Sequence, residues 1–133
     1  MIGLDTNVLI RYIMQDDEKQ GLQAGQIIDM AISQKSMLMV TLVVLCEIVW
    51  VLSYHYKLTR QEIITFIKHL LHAEQIEVEN RQLALSALEV YQSSKADFSD
   101  CLIGLTNQFQ GCTTTYTFDK KAAQINLFTL IQS

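Results

Sequence analysis

The hydrophobic positions of the chain fall into short continuous runs and into longer stretches with helical spacing. Apolar or β-branched runs bounded by turn-forming residues predict strands at 2–4, 37–40, 76–78, 113–118 and 127–131. Between them, apolar residues recur every three or four positions and predict helices at 8–14, 24–32, 42–54, 59–71, 83–91, 97–111 and, as one short turn, 119–122. Strands that alternate with helices predict an α/β fold of three layers, with a central parallel sheet between the helices.

No repeat, low-complexity tract or flexible linker interrupts the 133 residues, so we expect a single domain over 1–133. The most apolar stretch, 36–56, has Glu47 as its only formal charge and is long enough to span a bilayer. A carboxylate at mid-span is costly, however, and Thr41 stands where a helix cap would. We therefore expect no membrane span, but a buried strand followed by a helix that is buried on most sides.

The composition limits the classes of protein to which the chain can belong. Half of the residues are hydrophobic and 18% are charged, which excludes a disordered tail. The formal net charge of −4 argues against a protein that coats DNA non-specifically, although it allows a nuclease with an acidic pocket. Three cysteines without a CxxC pair, and an N-terminus without a basic segment before its apolar residues, favour reduced thiols in the cytoplasm.

Several carboxylates stand where a parallel sheet would carry its chemistry, beyond the carboxyl ends of the strands. Asp5 follows the first predicted strand, and Asp119 follows the run that ends at 118. Glu47 lies early in an apolar helix, and Asp100 lies in the first turn of another, with Asp97 three residues before it. Converging carboxylates repel one another unless a hard cation joins them, and oxygen ligands suit Mg²⁺ or Mn²⁺.

Four segments, in this order, resemble a known family. They are GLDTNVL at 3–9, Glu47 in its apolar helix, ADFSDCLI at 96–103 and TFD at 117–119. Together they resemble the PIN-domain ribonucleases and, more narrowly, the VapC-type toxins of type II toxin–antitoxin pairs. The resemblance covers nearly the whole chain and implies a PIN-like fold and a Mg²⁺- or Mn²⁺-dependent endoribonuclease that hydrolyses RNA phosphodiester bonds.

The resemblance also implies roles for individual residues. The catalytic residues would be Asp5, Glu47, Asp100 and Asp119, the metal ligands Asp5, Asp97, Asp100 and Asp119, and the supporting polar residues Thr6 and Asn7. One departure from the family pattern is Gly104, where many relatives have alanine, and we expect it to loosen its helix slightly.

The expected partners are an RNA substrate, a cognate antitoxin and a second copy of the chain. The resemblance implies an antitoxin whose tail enters the acidic crevice through a basic side chain. Arg11, one helical turn after Asn7, is our candidate for a contact with a substrate phosphate. The apolar faces along 42–50 and 63–71 exceed what a monomer of this size needs, which predicts a homodimer.

Two other functions remain open at this point. The first is a catalytically silent PIN-like module that binds RNA or a protein. The second is a receiver-type phospho-acceptor with an acidic Mg²⁺ pocket, which is less favoured because the first strand ends in one aspartate, Asp5, rather than an acidic pair.

Individual residues also have simpler structural interpretations. Asp97 and Asp100 could be the cap and the first-turn acid of a helix, although a metal role is favoured for Asp100. Asp5 could be a turn residue before a cap at Asn7. For the remaining polar and aromatic candidates the simpler interpretation is favoured: an exposed pair for His69 and His72, helix-start lysines for Lys120 and Lys121, and core or subunit packing for Trp50, Tyr54 and Tyr56.

Overall fold

The computed structural model describes residues 1–132 and has a mixed α/β fold. Every strand pairing within these residues is parallel, as the alternation of strands and helices predicts. The contacts within the chain divide it into two compact units, an N-terminal unit over Met1–Glu79 and a C-terminal unit that begins at Asn80. The expectation of one domain over 1–133 stays a prediction.

The N-terminal unit builds a sheet of three strands in chain order. Ile2 of the first strand pairs with Leu38 of the second, which pairs with Ile76 of the third. The buried core of this unit includes Leu45 and Ile67 from two of its helices. Its elements are β1 (Ile2–Gly3), α1 (Thr6–Met14), α2 (Glu18–Ser33), β2 (Leu38–Val40), α3 (Leu42–Tyr54), α4 (Arg60–His72) and β3 (Ile76–Val78).

The C-terminal unit has two helices followed by a two-stranded parallel sheet. Tyr91 and Phe98 form its aromatic core, with ring centroids 5.7 Å apart in an edge-to-face arrangement. Thr115 pairs with Phe128 in the sheet. The elements are α5 (Arg81–Ser93), α6 (Phe98–Phe109), β4 (Thr115–Thr117), a short 3₁₀ helix (Ala122–Gln124) and β5 (Phe128–Leu130).

Side-chain caps set several helix starts where the sequence predicts them. The Thr59 hydroxyl accepts from the backbone N–H of Glu62 at 3.1 Å, and Glu62 Oε1 accepts from the Thr59 N–H at 2.9 Å, which is a complete capping box. The Thr41 hydroxyl accepts from the Val44 N–H at 3.2 Å and starts α3. This strand–cap–helix order through the apolar stretch 36–56 is confirmed, and within residues 1–132 no helix is both long and apolar enough to cross a bilayer.

Three local predictions are wrong in detail. Helix α1 starts at Thr6 with Asp5 as its cap, so Asn7 is not the cap. The predicted helical turn at 119–122 is a turn around Asp119 followed by the 3₁₀ helix. Strand β4 is shorter than the predicted 113–118, because only 115–117 pair with β5.

Two apolar helix faces also differ from expectation. The face at 63–71 on α4 is buried within the chain itself, so it offers no surface for a dimer. Helix α3 is more open than predicted, because Val43, Glu47, Trp50 and Tyr54 are exposed at positions three or four residues apart. The prediction that Trp50 and Tyr54 pack in the core is therefore wrong.

Gly104 on α6 tightens the packing of the C-terminal unit, whereas the sequence suggests only a loosened helix. A Cβ atom at this position would lie 2.7 Å from Cε2 of Phe128 and 2.9 Å from Cβ of Leu127. Both distances are shorter than van der Waals contact, so only glycine lets α6 approach β5 this closely. The expected loosening is therefore outweighed by close packing.

Candidate active site

Asp5 and Glu47 are held by one residue, Thr6, and we call them the N-terminal acidic pair. Asp5 directly precedes α1, and its Oδ1 accepts from the backbone N–H of Thr6 at 2.8 Å. The buried Thr6 hydroxyl donates to Oε1 of Glu47 on α3 at 3.0 Å. Thr6 thus donates to one carboxylate with its amide and to the other with its side chain. Its role in supporting a catalytic site stays a prediction.

Asp97, Asp100 and Asp119 form a cluster in the C-terminal unit, which we call the C-terminal acidic triad. Their carboxylate oxygens lie within 4.8 Å of one another. Asp97 occupies the cap position of α6, as its simpler interpretation predicts, but it makes no side-chain cap hydrogen bond. Asp100 lies in the first turn of α6, and Asp119 follows β4.

The electrostatics of the triad disfavour three charged carboxylates. Burial raises the pKa of Asp100 above its ordinary value, and the negative charges of Asp119 and Asp97 raise it further. Burial and two nearby carboxylates thus act on the pKa of Asp100 in the same direction.

Asp119 is fixed by the turn in which it lies. Its backbone N–H donates to the Thr117 hydroxyl at 3.0 Å. Its Oδ1 accepts from the backbone N–H groups of Lys121 at 2.8 Å and Ala122 at 3.2 Å. These two hydrogen bonds hold Oδ1 of Asp119 and so fix the position of its carboxylate.

The donor set of the triad fits a hard divalent cation. All of its ligand atoms are carboxylate oxygens, which Mg²⁺ and Mn²⁺ prefer over the softer nitrogen and sulfur ligands. Within residues 1–132, this is the one group of three or more His, Cys, Asp or Glu side chains with ligand atoms this close together. His69 and His72, both exposed on α4, belong to no such group, in line with the simpler interpretation.

The structure therefore brings the predicted acids together in two groups. Asp5 and Glu47 meet through Thr6 in one unit, and the triad forms in the other. Convergence of all five stays a prediction.

Arg11 takes part in a network that sequence inspection missed. Its Nε donates to Oε1 of Gln20 at 2.8 Å, and its Nη1 lies 3.3 Å from both Oδ1 of Asp16 and the Tyr56 hydroxyl. The Tyr56 hydroxyl donates to Oδ2 of Asp16 at 2.6 Å. This hydrogen bond, helped by Arg11, lowers the pKa of Asp16. Tyr56 lies 40 residues from Asp16, so nothing local in the sequence signals the pairing.

Arg11 and Asn7 also line a cavity of about 360 Å³ between α1 and α2. Val8, Gln20 and Ile27 contribute to the same wall. The expected contact of Arg11 with a substrate phosphate stays a prediction. Asp16 and Tyr56 already orient the Arg11 guanidinium.

Comparisons with known proteins agree with these features. The family model described as "PIN domain" matches residues 2–126. The VapC ribonuclease of Aquifex aeolicus (strain VF5) is 26% identical over 128 residues, which cover 96% of this chain and 93% of that protein. No solved structure matches significantly.

Proposed function

Because the chain belongs to the PIN domain family, we propose that it is a metal-dependent endoribonuclease of the VapC type, the toxin of a toxin–antitoxin pair. The observation that carries this proposal is the C-terminal acidic triad, whose three carboxylates have oxygens within 4.8 Å of one another. The similarity to a VapC ribonuclease over nearly the whole chain supports the reaction class.

The triad residues Asp97, Asp100 and Asp119 would hold Mg²⁺ or Mn²⁺, and Asp5 is proposed as a further ligand. When bound, such an ion acidifies water and neutralises charge on the scissile phosphate. Asp119 is suited to a ligand role because its turn fixes the carboxylate before anything binds. In the same way, α6 presents Asp97 at its cap position and Asp100 three residues later in its first turn.

Glu47 is proposed as the carboxylate that orients or deprotonates the attacking water. The Thr6 hydroxyl holds its Oε1, and its second oxygen would then accept a proton. Asn7 and Arg11 line a neighbouring cavity and are proposed to support the site and to contact a substrate phosphate.

We further propose a cognate antitoxin, a cytoplasmic location and a homodimer. The dimer rests on α3, where Val43, Trp50 and Tyr54 are exposed and the last two rings lie 5.4 Å apart. Sedimentation at micromolar concentration should give a dimer for the wild type and a monomer for Trp50→Ala. A monomeric wild type contradicts the dimer but not the nuclease.

The nuclease proposal is tested by cleavage of RNA by the purified protein. We expect cleavage with Mn²⁺, none with EDTA, and a loss of at least about 100-fold in Asp5→Asn, since partners outside the ligand shell alone are worth about 10–100-fold. Asparagine caps a helix as well as aspartate does, so this variant keeps α1 intact. Asp29→Asn, at an exposed position on α2, is the matched control and should cleave normally.

Each alternative function has its own signature in this experiment. RNA binding without cleavage by the folded wild type indicates a silent PIN-like module. A stable acyl phosphate on Asp5 or Asp100 after treatment with a small phosphodonor indicates a phospho-acceptor. Undiminished cleavage by folded Asp5→Asn contradicts the proposed role of Asp5.

A further inference from the structure

Two large aromatic side chains stand exposed directly before Asp119. Tyr116 on β4 is 68% exposed, and Phe118, which follows β4, is 75% exposed. The alternating Thr115 and Thr117 are only partly exposed. Both rings are therefore largely in solvent, at positions two apart along the chain. We call Tyr116 and Phe118 the aromatic strip.

The fold of the C-terminal unit does not account for the aromatic strip. The threonines that alternate with the rings serve the structure, because the Thr115 hydroxyl accepts from the Asn107 side chain at 3.0 Å and the Thr117 hydroxyl accepts from the Asp119 N–H at 3.0 Å. Within residues 1–132, neither ring belongs to a pair of stacked or edge-to-face rings. Exposed rings forgo the stabilisation that burial of aromatic area provides.

The neighbours of the strip are suited to a charged polymer. Phe118 is adjacent to Asp119 of the acidic triad, and the exposed Lys120 and Lys121 follow at once. The turn that binds Oδ1 of Asp119 also fixes the backbone of Lys121. Two aromatic rings, two cationic side chains and one carboxylate of the triad, Asp119, therefore lie within six consecutive residues, 116–121.

We propose that Tyr116 and Phe118 stack on bases of single-stranded RNA beside the phosphate that is cleaved, while Lys120 and Lys121 contact flanking phosphates. The proposal rests on the proposed function and names the residues that would select its substrate. Aromatic side chains stack on any unpaired base, and cationic residues follow the backbone. The overall charge of −4 makes this local basic pair the more significant for an anionic ligand.

The spacing of the rings favours a single strand over a duplex. Positions two apart in a strand are separated by about 6.6 Å. This is roughly twice the ~3.4 Å rise per nucleotide within one strand of a duplex. Two bases held by the rings are therefore unstacked from each other, which a duplex does not permit without distortion.

The test is binding of the full-length protein to a fluorescent ten-nucleotide RNA in EDTA, measured by anisotropy. Tyr116→Ala and Phe118→Ala should each raise Kd by roughly 5- to 100-fold, the usual effect of losing one stacked base. Tyr116→Phe and Phe118→Tyr keep a ring and should bind within about twofold of the wild type. Phe109→Ala is the matched control, since Phe109 is 84% exposed and ends α6, the helix that Asp100 begins.

A probe without bases separates stacking from charge. An abasic phosphodiester strand of the same length should bind the wild type weakly and should bind the alanine variants equally. In cleavage assays with Mn²⁺, the alanine variants should raise KM and leave kcat nearly unchanged, because stacking binds the ground state and the transition state alike.

The outcomes distinguish this inference from the proposed nuclease. Cleavage by the wild type with unchanged RNA binding by both alanine variants overturns the inference and leaves the nuclease intact. Impaired binding by these variants, with no cleavage by the wild type, supports the strip and contradicts the nuclease. The inference is also overturned by a wild type that binds no RNA, or by variants that turn a dimer into a monomer and still bind RNA normally.

Discussion

The two acidic groups of this chain hold their carboxylates in opposite ways. In the N-terminal pair, Thr6 donates one hydrogen bond to Asp5 and another to Glu47. In the C-terminal triad, Asp119 accepts two backbone hydrogen bonds, but Asp97 makes no cap hydrogen bond, and Asp100 has a pKa raised by burial and by its acidic neighbours. The pair is thus built with its own donors, whereas the triad lacks a compensating charge among its residues.

This difference indicates where a cation has most to contribute. Asp5 and Glu47 are already held in position by hydrogen bonds from Thr6. A group of crowded carboxylates gains most from a bound cation, because their mutual repulsion otherwise opposes folding. We therefore expect substitutions in the triad to act through charge, and substitutions in the pair to act through position.

The largest expected effect is that of Asp100→Asn. Cleavage should fall by at least about 100-fold, since even partners outside the ligand shell are worth about 10–100-fold. In EDTA the variant should unfold at a higher temperature, by the equivalent of about 0.5–1 kcal/mol, because repulsion is relieved. Saturating Mn²⁺ should stabilise the wild type by about 3 kcal/mol at 100 times Kd, and the variant by much less.

Thermal melts of both proteins with EDTA and with Mn²⁺ check this prediction. A variant that melts lower in EDTA, yet gains as much from Mn²⁺ as the wild type, would make Asp100 a helix-start residue rather than a ligand.

The next largest expected effect is on stability, and it differs between a glycine in each unit. Gly104→Ala should lower the free energy of unfolding by about 1–3 kcal/mol, because its Cβ would overlap Phe128 and Leu127. Gly25→Ala on α2 is the control, since the nearest atom to its Cβ is a Tyr12 ring carbon at 4.0 Å. That variant should gain about 0.5–1 kcal/mol from helix propensity. Urea denaturation of both variants measures these free energies of unfolding. If both substitutions changed the free energy in the same direction, the close packing of α6 on β5 would be contradicted.

Thr6→Val tests the positioning role of the N-terminal pair. The substitution keeps the backbone N–H that Asp5 accepts and removes the hydroxyl that Glu47 accepts. We expect kcat to fall about tenfold with KM unchanged, as for other residues that orient a catalytic group. Thr6→Ser should restore most of the rate. An equal rate in Thr6→Val at normal stability would show that Glu47 needs no such partner.

The smallest expected effect is a difference in pH dependence between the units. Asp100 has a raised pKa, so the native state binds its proton more tightly and stability gained from this group increases as the pH falls through that raised pKa. Asp16 has a pKa lowered chiefly by the Tyr56 hydrogen bond, so its contribution is present above the ordinary value of 3.8 and is lost at lower pH.

Melts in EDTA between pH 7 and pH 3 check these signs. Relative to the wild type, Asp100→Asn should become less stable as the pH falls, and Asp16→Asn should become more stable. Parallel curves for the wild type and Asp100→Asn would mean that the triad carries no repulsion.

Much of the fold follows from local patterns in the sequence. Helix α3 ends and begins where the apolar period and Thr41 predict, and the capping box of Thr59 and Glu62 forms as expected. These features need only neighbours three or four residues away, so a single sequence reveals them. The order of the acidic motifs likewise sufficed to identify the family.

Exposure was harder to infer, because it depends on which face of an element meets the rest of the protein. An almost wholly apolar α3 gave no sign that Trp50 and Tyr54 would face solvent, and the equally apolar face at 63–71 is buried. The effect of Gly104 was equally hard to infer. Helix propensity describes the helix alone, whereas the importance of this glycine comes from its contact with Phe128.

By itself, the sequence determined the elements, their caps and the set of acids, because hydrogen bonds within one turn and the period of apolar residues are local properties. Only the tertiary structure decided how those acids are held. Thr6 reaches Glu47 across 41 positions, and Asp119 reaches Asp97 and Asp100 from about twenty residues away. Such pairings depend on how separate elements pack, and so do the burial and the neighbouring charges that raise the pKa of Asp100.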